Sequence, residues 1–309
     1  MVGMKIISLH APAAEIIYAL GAGDQIVGIS HECDYPPEVK SKPIVADTTI
    51  NSDQSSLNID TAVSNALRIG QDIYKVDNSL FASLNPELVI AQELCEVCAI
   101  TPTDIQKALR DCRPVPELLS LHPHSIAEIL GDVGKVAKAI GREAEANNYV
   151  LTLQRRLDNV HTITEDVGFR PRVYCMEWLD PPYNAGHWVP EMVEIAGGRD
   201  MLSTKGADSV RILWQRIVDY DPEVLVIMPC GFSIERTRKE LHETAKRPEW
   251  KRLSAVRNNQ IYLVNGPAYF NCSGPRIVDG VELLATILHP ELFPFRFKSE
   301  DFQKYENAQ

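Results

Sequence analysis

Leu84-Asn85-Pro86-Glu87-Leu88-Val89-Ile90 decides the fold, because the chain repeats it as Tyr220-Asp221-Pro222-Glu223-Val224-Leu225-Val226. The proline disfavours helical backbone at the residue before it, so both copies switch from helix end to strand at one point. The apolar runs that follow, Leu88 to Ala91 and Val224 to Met228, are short and bounded by turn residues, as strands buried on both faces require. A second echo pairs Asp24-Gln25-Ile26-Val27 with Asn259-Gln260-Ile261-Tyr262. Two similar α/β lobes of parallel strands account for both echoes.

Working outward, Lys5 to Leu9 reads as a first strand and Ala13 to Leu20 as a helix closed by Gly21 and Gly23. Gln25 to Ser30 is a second strand, Lys40 to Asn58 is polar and reads as irregular, and Ile59 to Arg68 has helical spacing. Helix then extended chain are expected over Thr103–Asp111 and Val115–Leu121. From Ser125 to Thr162 apolar residues recur at helical spacing (Ile126, Ile129, Leu130, Val133, Val136, Ala137, Ile140, then Leu153 and Leu157), with Gly141 marking a kink. The expected organisation is an N-terminal lobe over 1–123, a rigid bridging helix over 124–166, a C-terminal lobe over 167–297 and a loosely held tail over 298–309.

The 309 residues are 45% hydrophobic and 24% charged, with a formal net charge of -11. Phosphate binding needs basic surface, so a nucleic-acid partner is not expected. No apolar run approaches the length of a membrane span, so no transmembrane segment is expected. The start, Met1-Val2-Gly3-Met4-Lys5-Ile6-Ile7, lacks the pattern of a secretory signal, so a cytoplasmic location is expected, with an extracytoplasmic one the alternative if a leader has been removed. The seven cysteines (Cys33, Cys95, Cys98, Cys112, Cys175, Cys230, Cys272) are then thiols or metal ligands rather than staples.

The polar and aromatic residues concentrate in loops at the ends of expected strands, where open α/β sheets hold ligands. Glu177-Trp178-Leu179-Asp180-Pro181-Pro182-Tyr183-Asn184-Ala185-Gly186-His187-Trp188-Val189-Pro190-Glu191 is the richest, with two indoles, a histidine and carboxylates in a Pro/Gly loop. Such rings, off any periodic face, suit a stacking platform, and His187 suits a metal or a ligand donor as well as a backbone brace. The other loops carry His10, His31 to Tyr35, Gln92 to Cys98, and Tyr269 with Phe270. Cys95-Glu96-Val97-Cys98 has the gap of a zinc knuckle or redox pair, but no second pair of that spacing exists; two thiols packing a turn is the plainer reading. Glu93, Glu96, Glu177 and Glu191 could pair as acid and base, although such pairs are common by chance and a solvated or helix-dipole role suits Glu191 better. Gly21-Ala22-Gly23 follows a helix, so it is no phosphate loop, and no nucleophile elbow occurs.

From Ile6-Ile7-Ser8-Leu9-His10-Ala11-Pro12 through Leu20-Gly21-Ala22-Gly23-Asp24-Gln25-Ile26-Val27-Gly28, the chain resembles the helical-backbone (class III) substrate-binding proteins for vitamin B12 and iron–siderophore uptake. The long central helix and Asn85 to Ile90 fit the same family, over roughly residues 4 to 290. His31-Glu32-Cys33-Asp34-Tyr35-Pro36-Pro37, the Cys95–Cys98 loop and Glu177 to Glu191 resemble its cobalamin-binding subgroup, which generally has no secretion signal. The resemblance implies two Rossmann-like lobes joined by a long rigid helix, with a ligand cleft between them. An ABC transporter permease would be the partner of an exported member.

The resulting expectation is non-enzymatic binding of a corrinoid (cobalamin-like) or other metal-chelate ligand. The ligand set is His10, His31, Glu32, Tyr35, Gln92, Glu93, Glu96, Glu177, Trp178, His187, Trp188, Glu191, Tyr269 and Phe270. Trp178, Trp188, Tyr35 and Tyr269 would supply ring contacts, and His187 or His31 a polar or axial contact. The alternative is a metal-binding protein or metal-dependent enzyme, with Cys33, Cys95, Cys98 and His187 as ligands of a bound ion.

Overall fold

The computed structural model of the protein describes residues 3–92, 102–294 and 296–306. Its chain divides into two compact units, one of Met1–Gln54, Asn58–Pro123 and Ala127–Leu151, the other of Ser55–Leu57, His124–Ile126 and Thr152–Gln309.

In the first unit the elements run β1 (Ile6–Ser8), α1 (Ala11–Ala19), β2 (Ile26–Ser30), β3 (Ile44–Thr48), α2 (Ser56–Arg68, whose first two residues group with the second unit), β4 (Tyr74–Val76), α3 (Asn78–Ser83), β5 (Leu88–Gln92), α4 (Pro102–Arg110) and β6 (Glu117–Leu121). The strands form one sheet in the order β4-β3-β2-β1-β5-β6, parallel except at the β4 edge. Chain order reverses between β1 and β5, the switch point beside which open sheets bind ligands. Alternation along the strands sends Ile6, Leu88 and Ile90 to one core with Ile16 and Ile17 of α1, while Ile7, Val89 and Ala91 meet Phe81 and Ala108 in the other. A sheet covered on both faces is what the uninterrupted apolar runs require. The polar stretch read as irregular contains β3; five residues between Pro43 and the following turn were too few to show a pattern.

The expected single bridging helix is two helices, α5 (Ile126–Ile140) and α6 (Glu143–Glu165). Gly141 takes a left-handed φ of 68°, and Arg142 N–H donates back to Ala137 O at 2.8 Å, which ends α5. Val133, Val136, Ala137 and Ile140 of α5 sit in the core of the first unit, whereas α6 continues past Leu151 into the second.

The second unit continues with β7 (Val173–Trp178), β8 (Tyr183–Asn184), α7 (Val189–Ile195), α8 (Trp214–Tyr220), β9 (Val224–Ile227), α9 (Ile234–Thr244), α10 (Ser254–Arg257), β10 (Ile261–Val264), α11 (Gly266–Tyr269), α12 (Ile277–Leu288) and β11 (Phe302–Lys304). The sheet order is β11-β10-β9-β7-β8, with the three central strands parallel and both edges antiparallel. The tail expected to be loose therefore closes a sheet: β11 pairs with β10, and Asp301 Oδ1 accepts from Tyr269 Oη at 2.5 Å.

The quoted repeat is built alike in both units. Asn85 and Asp221 both take left-handed backbone, with φ 49° and 48°, a conformation that Asn and Asp tolerate. In one copy Glu87 N–H donates to Lys5 O (2.8 Å) while the Glu87 carboxylate accepts from Lys5 N–H (2.9 Å). In the other, Glu223 and Arg172 exchange the same two bonds at 2.8 and 2.9 Å. Each bracket locks the repeated strand to the strand beside it, β5 to β1 and β9 to β7. The second echo is not equivalent: β2 flanks β1, whereas β10 flanks β9. Among the described residues, no helix is long and apolar enough to cross a membrane.

Candidate ligand-binding and metal sites

In the second unit β7 ends in Glu177 and Trp178, then turns through Pro181 and Pro182 into β8, which pairs back with Met176 opposite Asn184. Asn184 is buried and holds the neighbouring 202–210 segment: its Nδ2 donates to Leu202 O (2.7 Å) and its Oδ1 accepts from Val210 N–H (2.7 Å). Gly186 follows because there is no room for a side chain; a Cβ would lie 2.4 Å from Ser209 N and 2.6 Å from Ala207 O. His187 then takes φ 54°, its N–H donating to Ala207 O at 2.6 Å and its carbonyl accepting from Gly206 N–H at 2.9 Å.

This zipped pair of loops fixes the His187 ring. Its Nε2 lies 3.2 Å from Asp208 Oδ1, its face stacks on His124 at 5.7 Å between centroids, and Trp188 tilts against it at 5.5 Å. His124 stands two residues before Ile126, whose N–H, one of the unsatisfied donors at the start of α5, donates to Glu191 Oε2 at 3.0 Å. Glu191 is thus a helix cap, favoured there by the helix dipole. The second expected ring wall is core instead. Trp188 is 4% exposed and its Nε1 donates to Phe270 O at 2.8 Å, and Phe270 is wholly buried. Neither presents a face to a ligand, because an apolar loop with rings gains more by packing under the sheet end than by remaining wet.

At the mouth of the same sheet, half-buried Trp178 packs on Phe232 (5.1 Å), and the Arg236 guanidinium lies 3.5 Å over the Phe232 ring. Trp178 Nε1 donates to Ser56 O at 3.1 Å, and Cys230 Sγ lies 3.7 Å from Glu177 Oε1. Tyr269 is half-buried, its hydroxyl directed to Asp301.

In the first unit, the expected residues also fall at strand carboxyl ends, but two are sealed. His10 follows β1, is 3% exposed, and burial lowers its imidazole to about 3, so it is a neutral core histidine rather than a ligand contact. Cys33 is buried against Ser30 Oγ (3.6 Å) and Ser8 O (3.7 Å), burial pushes its thiol up to about 11, and among the described residues it joins no group of possible metal ligands, so it is a packed side chain. His31 Nδ1 lies 3.7 Å from Asp47 Oδ1, Glu32 Oε1 accepts from Tyr74 Oη at 3.5 Å, Tyr35 is 43% exposed, and Gln92 ends β5 half-buried. Glu93, Cys95, Glu96 and Cys98 lie outside the described residues.

His124, Asp208, Phe232 and Arg236 were not anticipated. His122-Pro123-His124 ahead of the apolar period of α5 was the available signal, a histidine placed at a helix entrance. Asp208 is distant in sequence from His187 and meets it only through the Gly186 crossing.

Two sheet-containing α/β lobes, with polar and aromatic loops at strand carboxyl ends and a helix running from one to the other, define the class III substrate-binding protein fold. The chain belongs to the periplasmic binding protein family, whose model matches residues 6–268. It is 27% identical, over 94% of its length and 81% of the relative's, to the uncharacterized ABC transporter substrate-binding lipoprotein YvrC of Bacillus subtilis. It is 23% identical to the vitamin B12-binding protein of Vibrio cholerae, over 92% of this chain and 88% of that one. Among solved structures, the periplasmic heme-binding protein RhuT of Roseiflexus in apo form superposes with a TM-score of 0.71 at 20% identity, covering 93% of this chain and 98% of that chain. The Vibrio cholerae vitamin B12-binding protein BtuF gives 0.66 at 21% identity, covering 92% and 96%.

Proposed function

We propose that the protein is a non-enzymatic substrate-binding protein for a large metal chelate, a corrinoid of the cobalamin class, delivered to an ABC transporter permease. The observation that carries this reading is the match to the vitamin B12-binding relative over 92% of the chain. The structure supports it with ring and donor groups at strand ends in each unit. Half-buried Trp178 and Arg236, both packed on the buried Phe232 ring, offer an indole and a guanidinium in one, and Tyr35, His31 and Gln92 offer an exposed ring and polar groups in the other. A few placed polar groups among aromatic faces suit a wide, partly apolar macrocycle.

Titration of the purified protein with cobinamide and cyanocobalamin, followed by absorbance and calorimetry, tests it. One saturable equivalent of corrinoid is expected, weakened by Trp178→Ala by about tenfold, since a lost aromatic contact is worth roughly 1–1.5 kcal/mol. Heme run in parallel separates the neighbouring ligand class; saturable heme binding without corrinoid binding would reject the corrinoid assignment and keep the binding-protein one.

A further inference from the structure

We propose that His124, His187 and Asp208 form a three-ligand site for a divalent transition metal of the zinc class, in the second unit. Their ligand atoms, one from each residue, all lie within 4.8 Å of one another. Bonds of about 2.0–2.2 Å to imidazole nitrogen and carboxylate oxygen place neighbouring tetrahedral ligands about 3.4 Å apart. The His187 Nε2 to Asp208 Oδ1 separation of 3.2 Å already meets that requirement. The Asp208 side chain, 73% exposed, can rotate toward an ion, and the ligand atoms, within 4.8 Å of one another, close to about 3.4 Å when they share it.

The surroundings are built, not incidental. Two loops are zipped together so that Gly186 lies against the 207–209 backbone, His187 is held in left-handed backbone by two main-chain bonds, and Glu191 anchors the segment carrying His124. Preorganisation of this kind is how scaffolds fix ligands before the ion arrives. Two imidazoles and one carboxylate favour zinc, cobalt or nickel over magnesium and calcium, which prefer oxygen donors. Three protein ligands leave at least one coordination position for water or an oxygen or nitrogen donor of a small molecule. The ligand set differs from the one anticipated with His187, since its described partners are His124 and Asp208.

The experiment is titration of the full chain, purified without a histidine tag and treated with chelator, with Zn²⁺ and Co²⁺, read by calorimetry and by the cobalt ligand-field spectrum. One equivalent is expected, with a low-coordinate cobalt spectrum. Replacing an outer-shell partner typically weakens metal sites 10–100-fold, so loss of a direct ligand in Asp208→Asn or His187→Asn should weaken binding by more than about 100-fold. Asn is chosen at position 187 because it tolerates left-handed backbone. The exposed Asp208→Asn should leave the melting temperature of the metal-free protein unchanged, which separates ligation from folding. Glu191→Ala, a positioning change, should weaken zinc by about tenfold without altering the cobalt band shape. Unchanged affinity in both ligand variants, intense thiolate-to-cobalt charge transfer abolished by Cys95→Ser with Cys98→Ser, or absence of a stoichiometric ion would each overturn the site. Corrinoid binding is scored separately on the metal-free protein, so either proposal fails without the other.

Discussion

Asn85 and Asp221 show what single residues accomplish in this chain. Each turns a helix end into a strand by adopting left-handed backbone, which costs other L-residues about 1–2 kcal/mol. Asp221 does more, since its carboxylate accepts from Ser254 N–H at 2.7 Å and Ser254 Oγ at 2.6 Å. Asn85→Ala should therefore destabilise by about 1–2 kcal/mol and Asp221→Ala by about 2–4 kcal/mol in urea unfolding, with glycine at Asn85 nearly neutral. Equal losses at the two alanine variants would show that the Ser254 bonds contribute nothing. The proline of this motif was legible in the sequence; the left-handed residue before it was not, because an extended conformation is the usual consequence of a following proline. His10 carries a pH signature. Its imidazole falls to about 3 through burial, against about 6.5 in the unfolded chain. Between those values the unfolded state binds more protons, so the His10 contribution makes stability rise with pH from about 3 to about 6.5, with no deficit above. Half-buried Asp200, raised to about 6 by burial, works in the opposite sense between about 4 and 6. His10→Gln should remove the upward slope and leave a gentle decline from about pH 4 to 6. An unaltered profile would place the titration elsewhere.

Among elements, long periodic helices and apolar central strands were readable, and the short edge strands were not. α5 and α6 were legible as one long helical period with a kink at Gly141, where the structure ends one helix before the next begins. β4, β8 and β11, of three, two and three residues, are shorter than any period can reveal; tertiary pairing alone makes them strands. β11 shows the consequence. It covers the open edge of β10 and supplies, from Asp301 beside it, the acceptor of the Tyr269 hydroxyl. A chain ending at Lys298 should lose about 5 °C or more in melting temperature, since roughly 2 kcal/mol shifts a unit of this size by that much. A truncated protein melting unchanged would show that the strand is ornamental to stability.

At the scale of the molecule, the doubled bracket at Lys5/Glu87 and Arg172/Glu223 explains why one heptapeptide identified both lobes. The loops that should bind ligand were legible as compositional concentrations at strand ends, but their division of labour was not. Burial took Trp188, Phe270, His10 and Cys33 into the core, and only folding brought His124 and Asp208 to His187. The corrinoid titration has a thermal counterpart here: ligand at about a hundred times its Kd should stabilise the whole chain by about 2.7 kcal/mol.

β1 lies in the middle of its sheet, flanked by β2 and β5 and running parallel to both. The polypeptide therefore enters that lobe at the rim where strands begin, while His10, His31 and Gln92 gather at the rim where they finish. A membrane tether, fluorescent label or immobilisation handle fused ahead of Met4 would hang from the back of this lobe and leave its front unobstructed.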